Sequence, residues 1–185
     1  MTTTALRSTL QALARAVAAT NTANGWSDGF TTAQIPERIA LIHSEVSEAS
    51  RERGRARRAR ELGDVQIRTL HLCELIAPDL LGELLWEPCL PERRPPLPVR
   101  IWLRATRPWQ DLQLHGQISA TLETYRKADA GRVNVLILHQ LLDLIERVNA
   151  LLLAELPART TPTELILEIN AANAGRGHRH GGLRC

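Results

Sequence analysis

Apolar residues recur every three to four positions through most of the chain, and Gly or Pro repeatedly cuts that rhythm. Leu6, Leu10, Leu13 and Val17 form one stripe over residues 4–20, which Gly25 and Gly29 break. Ile35, Ile39, Ile42, Val46 and Ala49 form a second, from near Pro36 to about Arg53. Leu62, Val65, Thr69, Leu72 and Ile76 form a third, from about Ala56 to Ile76, where Pro78 interrupts. A short apolar piece, DLLGELLW, follows. Further helices are expected over about Pro108–Lys127 and Val133–Leu156, the latter stopped by Pro157. In TTPTEL, Thr161 suits an N-cap, Pro162 the first helical position and Glu164 the reciprocal place in a capping box. The closing AGRGHRHGGLRC is too rich in glycine to be helical.

The expected fold class is therefore all-α, a helical bundle. Composition agrees, because 44% of residues are apolar but only 3% are aromatic. The core must be leucine, isoleucine, valine and alanine, whereas strands favour β-branched and aromatic residues. Basic and acidic residues number 23 and 20, for a net charge of +3. That balance is too even to argue for nucleic acid as a partner. Cys73, Cys89 and Cys185 lack metal-type spacing and read as reduced thiols of a cytoplasmic protein. The N-terminus shows no signal-peptide pattern, and no apolar run approaches the ~20 residues that cross a bilayer.

EPCLPERRPPLP, residues 87–98, holds five prolines and reads as a semi-extended linker. It divides the chain into a first half, 1–86, a Pro/Arg-rich linker, 87–107, and a second half, 108–185. Comparison of the halves reveals a degenerate repeat. LIHSEVSEAS (41–50) aligns with QLHGQISATL (113–122), and ELGDVQIR (61–68) with QLLDLIER (140–147). His43 matches His115, Val46 Ile118, Ser47 Ser119 and Asp64 Asp143. The other acids are lost: Glu45 becomes Gln117, Glu48 becomes Ala120 and Glu61 becomes Gln140. The expected architecture is a pseudo-dimer of two helix pairs.

Glu45 and Glu48 are three residues apart and share a helix face, as do Glu61 and Asp64 on the next helix. Twelve residues separate the two pairs, enough for a turn between antiparallel neighbours. Four converging carboxylates repel, and their pKa values rise unless a counter-charge is present. A hard divalent cation supplies one, and Mg²⁺ commonly takes substrate phosphates as further ligands. That points to a phosphate-bearing substrate and water as nucleophile. Acids at this spacing also occur on solvated helix faces paired with arginine, and that reading stays open beside the metal site. The acids flank the apolar stripe, where they need a partner more than outward-facing acids do. The second half has shed most of them while keeping the scaffold, so folding does not need them.

EVSE (45–48) and ELGD (61–64), with the flanks NGWSDGF, IPERIALIHSEVSEA and ELGDVQIRTLHL and the ending INAANAGRGHRHGGLRC, resemble the MazG-like, all-α nucleoside triphosphate pyrophosphohydrolases. The likeness is to their phage and bacterial branch. The resemblance implies Mg²⁺, with Mn²⁺ as a substitute, held by Glu45, Glu48, Glu61 and Asp64. It implies cleavage of a (d)NTP between the α- and β-phosphates, giving a nucleoside monophosphate and pyrophosphate. It implies assembly beyond one chain, such as a homodimer. It also implies that Asn173, Arg176, His180 and Arg184 of the tail bind substrate. Where the family often has lysine and HGGK, this chain has Ile169 and HGGL.

Other residues carry two readings each. Trp26 and Trp109 can stack on a base or pack in the core. His43 and His115 read as core histidines. Arg51, Arg53, Arg55, Arg57, Arg58 and Arg60 can clamp a triphosphate, but for most of them a solvated loop is the simpler expectation. Beside hydrolysis stands an alternative: a non-catalytic MazG-like bundle that binds nucleotide or a protein partner.

Overall fold

The computed structural model describes residues 3–78, 93–129 and 131–176. Among them are seven α-helices and no strand, as the apolar rhythm predicts. They are α1 (Thr3–Ala23), α2 (Ile35–Arg51), α3 (Arg55–Ile76), α4 (Leu97–Ala105), α5 (Arg107–Lys127), α6 (Val133–Glu155) and α7 (Pro162–Ala174). A single 3₁₀ turn, Thr32–Gln34, leads into α2. Thr161 caps α7 as expected, accepting from the Glu164 amide while the Glu164 carboxylate accepts from the Thr161 amide. The segment 79–86, Cys89, His178, His180, Arg184 and Cys185 lie outside the described residues. No described helix is long and apolar enough to cross a membrane.

α3 is the centre of the bundle. It packs on α2, α6, α1 and α7, and thirteen of its residues are buried. α2 also packs on α5, and α5 on α6, so four helices close a ring around one leucine- and isoleucine-rich core. The short connections between α2 and α3 and between α5 and α6 make each pair antiparallel. Gly63 lets α7 come close: a Cβ there would lie 2.5 Å from Cδ1 of Ile169, which is itself buried. Glycine inside the ELGD stretch thus sets how near α7 approaches α3.

Two findings depart from the sequence reading. Residues 97–105, inside the expected linker, form α4, with Pro98 in its first turn, where the missing N–H costs nothing. The preceding segment is docked. Arg94 donates to the carbonyls of Leu153 (3.1 Å) and Leu156 (2.9 Å), and Arg104 to that of Ala154 (2.5 Å). These cations satisfy the bare carbonyl end of α6. The arginine run also differs from a solvated loop. Residues 55–60 belong to α3, and although Arg51, Arg53, Arg55 and Arg57 are exposed, Arg58 is 1% exposed. Arg58 donates to Asp111 at 2.5 and 3.2 Å and to the Ala49 carbonyl at 2.8 Å. Its Nε is 3.4 Å from Glu155, which Arg107 grips through both oxygens at 2.7 and 2.8 Å. The charge is buried because partners from α5 and α6 meet it there.

Candidate metal centre and its cavity

α2 and α3 present their acids to one cavity of about 380 Å³. Carboxylate oxygens of Glu45, Glu61 and Asp64 all lie within 4.8 Å of one another. Glu48 lines the same cavity outside that close cluster. The i, i+3 spacing expected to align each pair does so, and the helix packing makes the pairs face each other. Glu45 is buried, and its Oε1 accepts from Arg68 Nε at 2.6 Å.

The electrostatics are those of crowded like charges. Burial, then the charges of Glu45 and Glu61, push the Asp64 pKa up to about 7, against the opposing pull of Arg68 and Arg60. Glu61 is raised from its usual value by burial and then by Glu48, Glu45 and Glu52. Both groups resist ionisation where they stand. Three carboxylates so arranged match the hard oxygen donors that a small divalent cation takes.

The rest of the wall is basic and polar. Arg38, Arg60, Arg68 and Arg176 line the cavity, as do Trp26 and Asn173. Arg38 holds the Trp26 carbonyl at 3.0 Å, fixing the turn in which Gly25 adopts φ 79°. Asn24 donates to the Asn173 carbonyl at 3.0 Å and so ties that turn to the end of α7. His71 lies 3.0 Å from the Ser27 hydroxyl, and burial, followed by Arg38 and Arg68, depresses its pKa to about 4. Arg38 Nε and Asn173 Oδ1 are buried and have no hydrogen-bond partner. Both belong to residues that line the cavity.

Of the residues singled out in the sequence, Glu45, Glu48, Glu61, Asp64, Trp26, Asn173 and Arg176 converge. His180 and Arg184 lie outside the described residues. Arg60, one of the arginines read as able to clamp a triphosphate, also lines the cavity, whereas Arg38, Arg68, Asn24 and His71 were not foreseen. Arg68 carried a signal, being one turn beyond Asp64 on the same face. Asn24 carried none, since its contact is with a residue 149 positions away. No protein-family model, curated protein or solved structure matches the chain.

Proposed function

We propose that the chain is a Mg²⁺-dependent nucleoside triphosphate pyrophosphohydrolase, releasing a nucleoside monophosphate and pyrophosphate. The observation that carries this is the meeting of Glu45, Glu61 and Asp64, with Glu48 nearby, in a cavity that Arg38, Arg60, Arg68 and Arg176 also line. One buried and two half-buried carboxylates at mutual repulsion are costly, and a binding site for a cation gives them a reason to be there. When bound, the divalent ion supplies charge neutralisation and polarises a phosphoryl oxygen. Glu45, Glu61 and Asp64 would hold it, in their ionised forms. Arg38, Arg60 and Arg176 would pair with phosphate oxygens, for which guanidinium is well shaped. Trp26 offers an aromatic face to the base, and Asn173 an amide acceptor. We assign Glu48, outside the tight cluster, the role of orienting and deprotonating the attacking water.

The resemblance to the MazG-like hydrolases supports the same reading. So does a two-copy architecture, which we infer from contacts between repeat-equivalent residues. His43 and His115 stack with ring centroids 5.1 Å apart and an interplanar angle of 13°, their Nδ1 atoms 2.8 Å apart. Gln66 donates at 2.9 Å to the carbonyl of Ile145, its own counterpart. Equivalent residues touch each other only near a two-fold axis. Two such points on different helix pairs favour a pseudo-dimer.

The test is a panel of canonical and damaged NTPs and dNTPs with Mg²⁺, with pyrophosphate and orthophosphate detected separately. Pyrophosphate release from some nucleotide, abolished by Glu61→Gln and by Glu48→Gln, is expected. Silence across the panel would refute hydrolysis. One contact favours the alternative of nucleotide binding without turnover: Arg68 already occupies an oxygen of Glu45. That reading predicts nucleotide affinity with no pyrophosphate.

A further inference from the structure

We propose that the second helix pair carries its own ligand site, which binds a nucleoside or free nucleobase without metal. The site is a cavity of about 810 Å³ between α5 and α6, in the size range of small-molecule pockets. The inference rests on the two-copy architecture above and is independent of hydrolysis at the first cavity.

Repeat-equivalent residues are 72 positions apart on the first helices, as His43 and His115 are, and 79 apart on the second, as Gln66 and Ile145 are. The same offsets carry the wall of the acidic cavity onto the wall of the second. Leu41 maps to Gln113 and Glu45 to Gln117, while Asp64 maps to Asp143 and Arg68 to Arg147; all eight line their respective cavities. The second cavity is therefore the first one's counterpart, carrying different side chains.

The differences define a ligand. Gln117, Ala120 and Gln140 replace three of the four acids, so the donor set for a divalent cation is gone. Asp143, Glu146 and Arg147 line the wall and leave it with more negative than positive charge, so phosphate would be repelled with no cation to offset it. In exchange the cavity gains Trp102 and Trp109 on its rim, rings 6.0 Å apart and tilted by 60°. They are 51% and 49% exposed, an unusual state for the largest apolar side chains. Indole faces stack on any heteroaromatic ring. Gln113 and Gln117 offer both donors and acceptors to a ring edge, and the carboxylates accept from exocyclic amino groups. An exposed indole pair, amides and carboxylates lining one cavity suit an uncharged base, and the missing metal ligands exclude its triphosphate.

The experiment titrates the full chain in EDTA with adenosine, guanosine, cytidine, uridine and thymidine, read by tryptophan fluorescence and calorimetry. At least one nucleoside should bind at one equivalent, and its triphosphate at least tenfold more weakly. Gly116→Leu is the blocking variant. Gly116 lines the cavity, is helical, and a Cβ added there meets nothing within 4 Å, so the fold tolerates it. It should weaken binding at least tenfold, as should Trp109→Ala, whereas loss of the first cavity's aromatic face in Trp26→Ala should weaken it less than twofold. No nucleoside binding up to millimolar concentration would overturn the proposal. So would binding lost in Trp26→Ala but kept in Gly116→Leu, which puts the ligand in the first cavity. Sedimentation showing a dimer that Trp109→Ala dissociates would also overturn it, since a second copy would then cover the tryptophans. The architecture is tested apart from the ligand: Gln117→Glu/Ala120→Glu/Gln140→Glu, with Asp143 in place, should bind one more Mn²⁺ than the parent. A gain of Mn²⁺ without nucleoside binding leaves the two-copy architecture standing and ends the ligand proposal.

Discussion

Replacing Asp64 by Asn should make the metal-free protein more stable while destroying the proposed metal site. The Asp64 pKa is about 7 in the folded chain and 3.8 in the reference state. A carboxyl raised on folding binds more protons in the native state, so its contribution to stability is greatest below pH ~4, falls as pH rises, and levels off above about 7. Each pKa unit corresponds to ~1.4 kcal/mol, so the native state at pH 8 carries up to about 4 kcal/mol of strain from this one charge. Asp64 is only half-buried, and water and rearrangement of Arg60 and Arg68 recover part of it. A gain of about 2 kcal/mol for Asp64→Asn is a reasonable magnitude, corresponding to a Tm rise of ~4–8 °C for a chain of this size. The assay is thermal unfolding followed by circular dichroism in EDTA at pH 8 and pH 4, then at pH 8 with millimolar Mg²⁺. The variant should melt higher at pH 8, its advantage should shrink at pH 4, and only the parent should gain from Mg²⁺. An Asp64→Asn protein that melts at or below the parent at pH 8, or whose advantage is the same at both pH values, would refute the charge-repulsion argument.

Three further outcomes follow from other contacts. Asp111→Ala leaves the buried Arg58 guanidinium without its closest partner and should cost about 3–5 kcal/mol in urea unfolding, far more than the exposed Glu123→Ala; equal effects would show that the buried network is not structural. His43 has a pKa lowered by burial and by His115, so its share of stability is present above about 6.5 and is lost as pH falls. The urea midpoint of the parent should accordingly drop more between pH 7 and pH 5 than that of His115→Phe, and parallel curves would remove the pair as the cause. Since Asp64 must lose its proton to bind a cation, Mn²⁺ affinity should climb about tenfold per pH unit up to about 7 and then flatten; a flat profile from pH 5.5 to 8.5 would assign binding to other groups.

The helices were legible because their apolar spacing is regular and their ends carry Pro, Gly or a capping box; α7 begins at Pro162 as Thr161 and Glu164 dictate. The acidic cluster was legible for a related reason: each pair lies on one helix, so its geometry follows from the sequence interval alone. What depends on distant segments was not legible. Arg58 stands in a charged run indistinguishable from its exposed neighbours, and its burial is made tolerable by Asp111 and Glu155 from α5 and α6 together with the Ala49 carbonyl. α4 was hidden by its prolines, which mark a linker when counted but open a helix when placed at its first turn. The degenerate repeat read in the sequence proposes a correspondence between halves. It could not show that His43 stacks on His115, because that contact depends on how α2 and α5 pack.

The most direct measurement is Mn²⁺ binding, by electron paramagnetic resonance titration of the purified chain at pH 7.5 without nucleotide. One equivalent should bind the parent and be lost in Asp64→Asn and Glu61→Gln, with circular dichroism showing both variants folded. Free Mn²⁺ alone with the parent, or binding that survives both substitutions, would contradict a metal centre built from these carboxylates.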